Sequence, residues 1–438
     1  MDAGRRLLWL AAAAAAVVVL VVAPVDRTEQ APEAEAGTVV PTAVPVLGTG
    51  PPRGSLAHDA AFVEAVRRLP WTADEGPGPA LGIRSVVFVG DVPGGRWALV
   101  VGEVLGPPDA PGSPADGPAG QSGLMAVWFG GRPGAAAADL VPLTVPTRAP
   151  ADVPVALLDQ RTGTLVVVAA PGDVVRVSER PVVLDTGQVD RAYRPMATTD
   201  GIAIGRLRPS DVPVTSAAAY DVERRGRTVA HGVPTTTGNR PGEALPVRLA
   251  EPRGPTPHSA AAVVAWTAER LVAPLGLARH ELRLTVLWAG NVPGPGPESG
   301  TAAVVAATLP TGAVVVDGEW MLPVTSSSGR FVQGGDCGLG ILPDGRPVED
   351  RVHALVCEVL DPSGGGATVR TYLVVLTPPG VASVRLYDDD GDFLEEHENA
   401  DGVLVVPAPR GTATVEAVTP GGVGLGRTEL LGRGVLFE

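Results

Sequence analysis

Cys337 and Cys357 are the only two cysteines of the chain and stand 20 positions apart. Two thiols at that spacing can oxidise to a disulfide or share a soft metal ion. If 351–360 is a strand, His353 and Cys357 fall on one face, and Cys337 would complete three zinc ligands; no fourth is evident. A disulfide between Cys337 and Cys357 is therefore the expectation, closing a loop that the chain-entropy picture values at about 3 kcal/mol.

The densest acidic run is Asp388-Asp389-Asp390-Gly391-Asp392, followed by Glu395, Glu396 and Glu398. A calcium loop needs oxygens at fixed offsets before its glycine. Here Leu386 falls where the first carboxylate should be, so the run reads as a solvated hairpin tip, with weak calcium binding as the alternative. The six histidines are His58, His231, His258, His280, His353 and His397, and none sits in an HExxH frame. Gly120-Gln121-Ser122-Gly123 is one residue short of a nucleophile elbow. All 34 basic residues are arginine, which removes Schiff-base lysines, Ser/Lys dyads and the P-loop lysine. His58 and His258 each precede a helical segment and read as helix-flanking residues rather than a site used twice. Trp288 lies in an apolar strand run and Trp266 in an apolar helical one, and Trp71, Trp97, Trp128, Trp266, Trp288 and Trp320 read as core rather than as sugar platforms. No catalytic, cofactor-binding or metal-ligating residue is assigned, and no cofactor is expected.

The elements that must carry these residues begin with a membrane signal. Arg5 and Arg6 precede 7–24, which runs about 18 residues without a charge. As a helix this would span about 27 Å, close to the hydrocarbon thickness. The positive-inside rule leaves 1–6 in the cytoplasm and everything later outside. The segment reads as a single-pass signal-anchor in the cell membrane. A cleaved signal is the alternative, but Pro24 after Ala23 is a poor cleavage context. An oxidising exterior agrees with the disulfide.

The chain has 438 residues and a formal net charge of -14, with 56 Gly and 45 Pro. The glycine and proline content excludes long helical bundles, and the acidic balance argues against nucleic-acid partners. Residues 25–55 read as a Pro/Ala-rich linker, and 233–257 as a second, Pro-rich one. Two β-rich repeats, 56–232 and 258–438, flank the latter. Ser85-Val86-Val87-Phe88-Val89-Gly90-Asp91-Val92-Pro93-Gly94 and Thr285-Val286-Leu287-Trp288-Ala289-Gly290-Asn291-Val292-Pro293-Gly294 lie 200 apart without a gap. His58 and His258, and Gly226-Arg227-Thr228 and Gly426-Arg427-Thr428, keep the same offset.

Each repeat opens with a helix, capped by Asp59 and stopped at Pro70, or capped by Ser259 over 260–273. Short Val-rich runs follow at 85–90, 96–104, 124–129 and 164–169, then at 282–289, 302–307, 352–360 and 371–377. Further runs at 382–387, 403–406 and 413–418 surround the Asp390-Gly391 turn pair. The expected fold is mainly β (α+β). It is a tandem duplication in which each copy has a helix and an antiparallel meander, then a β-sandwich-like unit, behind the transmembrane helix.

The sequence favours a membrane-anchored, extracytoplasmic binding or scaffolding module over an enzyme, with a protein or envelope component as partner. The alternatives are an extracytoplasmic hydrolase of envelope polymers with a site between the repeats, and a sensory ectodomain working through a separate membrane partner.

Overall fold

Where the sequence alternates valine with small or polar residues the chain extends, and the two places with helical spacing coil. The structure, a computed structural model, describes residues 46–47, 50–71, 78–104, 123–209, 212, 217–238, 244–250, 253–254, 256–293, 299–326, 329–361, 368–399 and 401–432. The 7–24 segment lies outside them. Among the described residues no helix is long and apolar enough to cross a membrane. The fold is mainly β, with mostly antiparallel sheets.

The first helix is Ala60–Arg67, and the Asp59 carboxylate accepts the Phe62 N–H at 2.9 Å. The second is Ala260–Val272. Ser259 does not cap it with its side chain; its hydroxyl instead pairs with that of Thr301 on the neighbouring sheet.

Each helix covers a meander sheet. In the first half its strands run Arg84–Val92, Gly95–Val104 and Gly123–Gly131, with two short strands paired to the last. In the second half they run Val247–Leu249, Arg283–Val292, Gly300–Thr308, Val314–Ser326 and Gly329–Leu342. Strand parity then builds the layers, because successive side chains face opposite ways. Val315 and Met321 pack toward the second helix, whereas Val314, Val316, Trp320 and Leu322 pack on the other face.

That other face meets a middle sheet of His353–Asp361, Thr368–Leu376 and Val403–Pro407. The middle sheet's far face, with Ala354, Leu373 and Val375, packs on a final sheet carrying Val384, Leu386 and Val415. The first half stacks in the same order. Val66 and Leu69 lie over Val127 and Phe129, Trp97 and Leu99 meet Leu157 and Val166, and Val167 meets Val175 and Val222. Each fully buried Leu, Val or Phe contributes about 1.5–3 kcal/mol.

The two final sheets have one strand order. Arg194–Met196, Val174–Ser178, Ala219–Arg224 and Arg227–Gly232 are followed in the second half by Phe393–Glu398, Ser383–Tyr387, Thr414–Val418 and Gly424–Glu429. Arg84–Val92 and Arg283–Val292 each carry a bulge, between Val86 and Phe88 and between Val286 and Trp288.

Both Pro-rich segments contribute to the sheets, although their composition suggests connectors alone. Val46 and Leu47 are buried, and both of their N–H groups donate to the Ala151 carbonyl. Arg53 is also buried, donating to the Ala169, Asp200 and Val46 carbonyls. Thr235–Thr237 and Val247–Leu249 add parallel edge strands to Val155–Asp159 and Arg283–Val292. Their β-branched and aliphatic residues sit between prolines that cannot join a ladder, so the segments add only short edges.

A tight turn recurs in both halves with different clearance. The Ala169 N–H donates to the Gly201 carbonyl at 2.8 Å, and the Thr377 N–H to Gly402 at 2.9 Å. Gly201 has φ +72, and a Cβ there would lie 2.4 Å from the Ala170 carbonyl oxygen. Gly402 has φ +73, but a Cβ would lie 3.4 Å from the nearest backbone atom. Gly201→Ala should therefore cost about 3 kcal/mol in urea unfolding, and Gly402→Ala only about 1 kcal/mol. Equal losses would mean that backbone crowding at Gly201 is not what selects glycine.

Candidate functional site

A run of three valines ends at Asp317, and the strand continues as Gly318-Glu319-Trp320. Because the strand Val314–Ser326 alternates, Asp317 and Glu319 share the face that looks into the core beneath the second helix. Asp317 is 2% exposed and Glu319 is fully buried. The next strand brings a third carboxylate, since Asp336 pairs directly with Glu319.

That register depends on one extra residue. Gly318 pairs with Gly338 and Glu319 with Asp336, which leaves Cys337 as the bulged residue between them. The bulge turns Cys337 to the opposite face, where its Sγ lies 2.00 Å from that of Cys357 on the middle sheet. One irregularity thus serves both chemistries, with the disulfide on one side of the sheet and the carboxylates on the other.

The carboxylates meet few donors. Asp336 Oδ1 accepts the Gly338 N–H at 2.5 Å. Asp317 Oδ1 and both oxygens of Glu319 are buried without a hydrogen bond. Arg270, from the last turn of the second helix, brings its Nε to 2.7 Å from Glu319 Oε1, off the axis of a hydrogen bond. The one hydroxyl buried on that helix face, Thr267, donates to Val263 of its own helix. Burial pushes the Asp317 carboxyl up to about 7, and Arg270 only partly opposes it. Burial, reinforced by Asp317, pushes Glu319 up to about 9. Among the described residues, Asp317, Glu319 and Asp336 can bring three ligand oxygens within 4.8 Å of one another. Such a cluster can hold a proton between buried carboxyls or a hard cation among its oxygens.

The first half shows what the fold itself requires at these positions. Counting from the hairpins that start at Val92↔Gly95 and Val292↔Gly300, Ala98 corresponds to Ala303 and Val100 to Val305. Their partners on the third strand are Phe129 and Val127 in the first half, and Glu319 and Asp317 in the second. Phe129 and Val127 are buried in an ordinary apolar cluster with Val66 and Leu69. A helix-covered sheet of this form packs hydrocarbon there without difficulty, so packing does not explain two carboxylates.

The residues that stand out in the sequence lie elsewhere. With Cys337 and Cys357 joined, the His353/Cys357 zinc arrangement has no thiolates to use. His353 is buried, its Nε2 donating to the Val348 carbonyl at 2.8 Å. His58 and His258 are exposed. Asp388–Asp392 forms a hairpin tip, where Asp388 Oδ1 accepts the Asp392 N–H at 2.8 Å. Trp71, Trp97, Trp128, Trp288 and Trp320 are buried, and Trp266 is half-buried against Gly334.

Clefts open on the surface among the described residues. One of about 660 Å³ lies in the second half beside Arg248, Arg253, Glu349 and Asp401. There Arg248 donates to Glu349 Oε1 at 3.0 Å; the backbone N–H of Glu349 and this arginine hold its carboxyl below the usual range. Another, of about 440 Å³, is walled by both halves, with Leu158, Arg180 and Leu207 facing Leu277, His280 and Glu281. Neither cleft is lined by the buried carboxylates. No family model and no curated protein matches the chain.

Proposed function

We propose that this chain is a membrane-anchored, extracytoplasmic binding module that presents two related β-rich units and acts on a protein or envelope component without catalysis. The observation that carries the reading is the disulfide. The chain has only two cysteines, and they are joined and buried between two sheets, at 2% and 0% exposure. Structural disulfides of this kind persist in oxidising compartments. The uncharged 7–24 run behind Arg5 and Arg6 supplies a route across the membrane.

The two-unit reading includes a tandem duplication. Shared strand order, bulges 200 residues apart and the paired Gly201 and Gly402 turns support that part of the reading. Pro52-Arg53-Gly54 and Pro252-Arg253-Gly254 extend the same offset. The cleft between the halves offers apolar walls and charges of both signs, and its volume suits a small ligand or a peptide side chain.

The test has two arms. Protease added to intact cells should remove the bulk of the chain while a cytosolic marker survives. Pull-down from detergent-solubilised membranes should then recover a stable partner, and His280→Glu at the exposed rim of the shared cleft should weaken its capture. Protection of the chain alongside the marker rejects the topology. Turnover of an envelope polymer without any partner rejects the binding role in favour of a hydrolase.

A further inference from the structure

We infer that Asp317, Glu319 and Asp336 form a binding site for one divalent cation of the calcium type, buried between the second helix and its sheet. The inference is independent of the membrane topology above.

Four observations converge on it. First, among the described residues three carboxylates share one guanidinium, Arg270, so they can ionise together only if a further cation joins them. Second, Asp317 Oδ1 and both Glu319 oxygens are buried and accept no hydrogen bond, although carboxylate oxygens in a protein interior need donors or a metal. Third, the ligand oxygens all lie within 4.8 Å of one another. Oxygens across a Ca²⁺ ion can stand up to about 5.2 Å apart, from bond lengths of about 2.3–2.6 Å, and Ca²⁺ accepts an irregular ligand set where Mg²⁺ demands a near-ideal octahedron. Fourth, the matching positions of the first half are Val127 and Phe129, so the architecture does not demand acids here.

The ion has a way in. Asp336 is only half-buried, and the Arg270 side chain is 44% exposed at the same edge. Arg270 is the group that an arriving cation would displace from Glu319. The all-oxygen ligand set favours hard ions over the soft metals that thiolates select. Cys337 lies next to Asp336 but faces the other side of the sheet, so the disulfide holds the third ligand in register without contributing to the site.

The experiment uses the full chain, purified oxidised and stripped with EDTA. Calorimetric titration with CaCl2 should give one site per chain, with affinity in the range of about 10⁻⁶ to 10⁻³ M. Thermal melts should shift up by several degrees with Ca²⁺ and by less with Mg²⁺. Asp317→Asn and Glu319→Gln should each weaken binding at least tenfold. The double variant Asp317→Val/Glu319→Phe, which installs the first half's side chains, should melt cooperatively and lose the calcium shift altogether. A chain with Asp390→Asn and Asp392→Asn at the exposed hairpin tip should bind as well as the original. No heat and no melting shift with any of the ions overturns the site and leaves a proton-sharing carboxyl cluster. So does binding that survives the double variant, or that disappears with the hairpin-tip variant.

Discussion

Replacing both cysteines by alanine should lower the unfolding free energy by about 3 kcal/mol, with a further loss from imperfect packing where the bond was. The first part comes from the unfolded chain, which regains the freedom of a loop spanning 20 positions once the bridge is gone. The second comes from the folded state, because Cys337 and Cys357 are both part of the apolar cluster between the meander and middle sheets. A local consequence follows from the bulge. Cys337 is the extra residue that lets Asp336 sit opposite Glu319. Without the bridge to the middle sheet, the ladder can close by one residue, and that slip would turn Asp336 away from Glu319. Guanidinium unfolding of oxidised, reduced and double-alanine protein measures the global term. Amide exchange at Gly338 and Leu339 measures the local one. Equal unfolding midpoints for the oxidised and double-alanine chains would show that the bridge does not stabilise the fold.

The parts of this fold written in clean periodicity are legible in the amino-acid sequence alone. Ser85–Gly90 and Leu282–Ala289 are apolar runs bounded by glycine, and both are strands. Asp59 followed by a 3.6-residue apolar pattern is a capped helix. The parts that escape local pattern share one physical cause. Val314–Ser326 and Gly329–Leu342 form the longest hairpin among the described residues, yet neither is among the strand runs expected from the sequence, because Asp317-Gly318-Glu319 and Gly334-Gly335-Asp336-Cys337-Gly338 lower its β propensity.

Burial is what makes these strands, with the helix above and the middle sheet below. Neither neighbour is visible to a local pattern. The candidate site is hidden together with its strands. The available signal is parity, since two acids at alternate positions after three valines must share a face if that stretch extends. Asp388–Asp392 is the more conspicuous run because it is dense, but density in a hairpin turn brings solvation rather than convergence. The edge strands within the Pro-rich segments are hidden for a related reason, as each is three residues long and paired only through tertiary placement.

In metal-free buffer the protein should become less stable as pH rises from about 6.5 to 9, contrary to the usual behaviour of a chain held by ion-paired acids. The sign follows from which state holds the proton. Glu319 has its pKa raised to about 9 by burial first, then by Asp317; unfolded, it would titrate near 4.5. Between those values the folded chain binds a proton that the unfolded chain has released, so raising the pH favours unfolding. Asp317, raised to about 7, adds to the loss only up to that pH.

His353 works in the opposite direction, because burial lowers its pKa from 6.5 to about 4. Its stabilisation is lost as pH falls from about 6.5 through 4, so below about 6.5 it offsets the carboxyls, and above that it is silent. The clean window is therefore 7 to 9, above both His353 and Asp317, where one proton over about 2 pH units is on the order of 3 kcal/mol.

Glu319→Gln keeps the shape of the protonated acid and removes the titration. It should flatten the profile across this window and melt at a higher temperature than the original at pH 8. His353→Gln should leave the slope above pH 6.5 unchanged. A melting temperature that is constant from pH 6.5 to 9 in the original chain, or a slope that persists in Glu319→Gln, would mean that Glu319 is ionised throughout. The Arg270 contact would then have to be strong enough to outweigh the desolvation of Glu319.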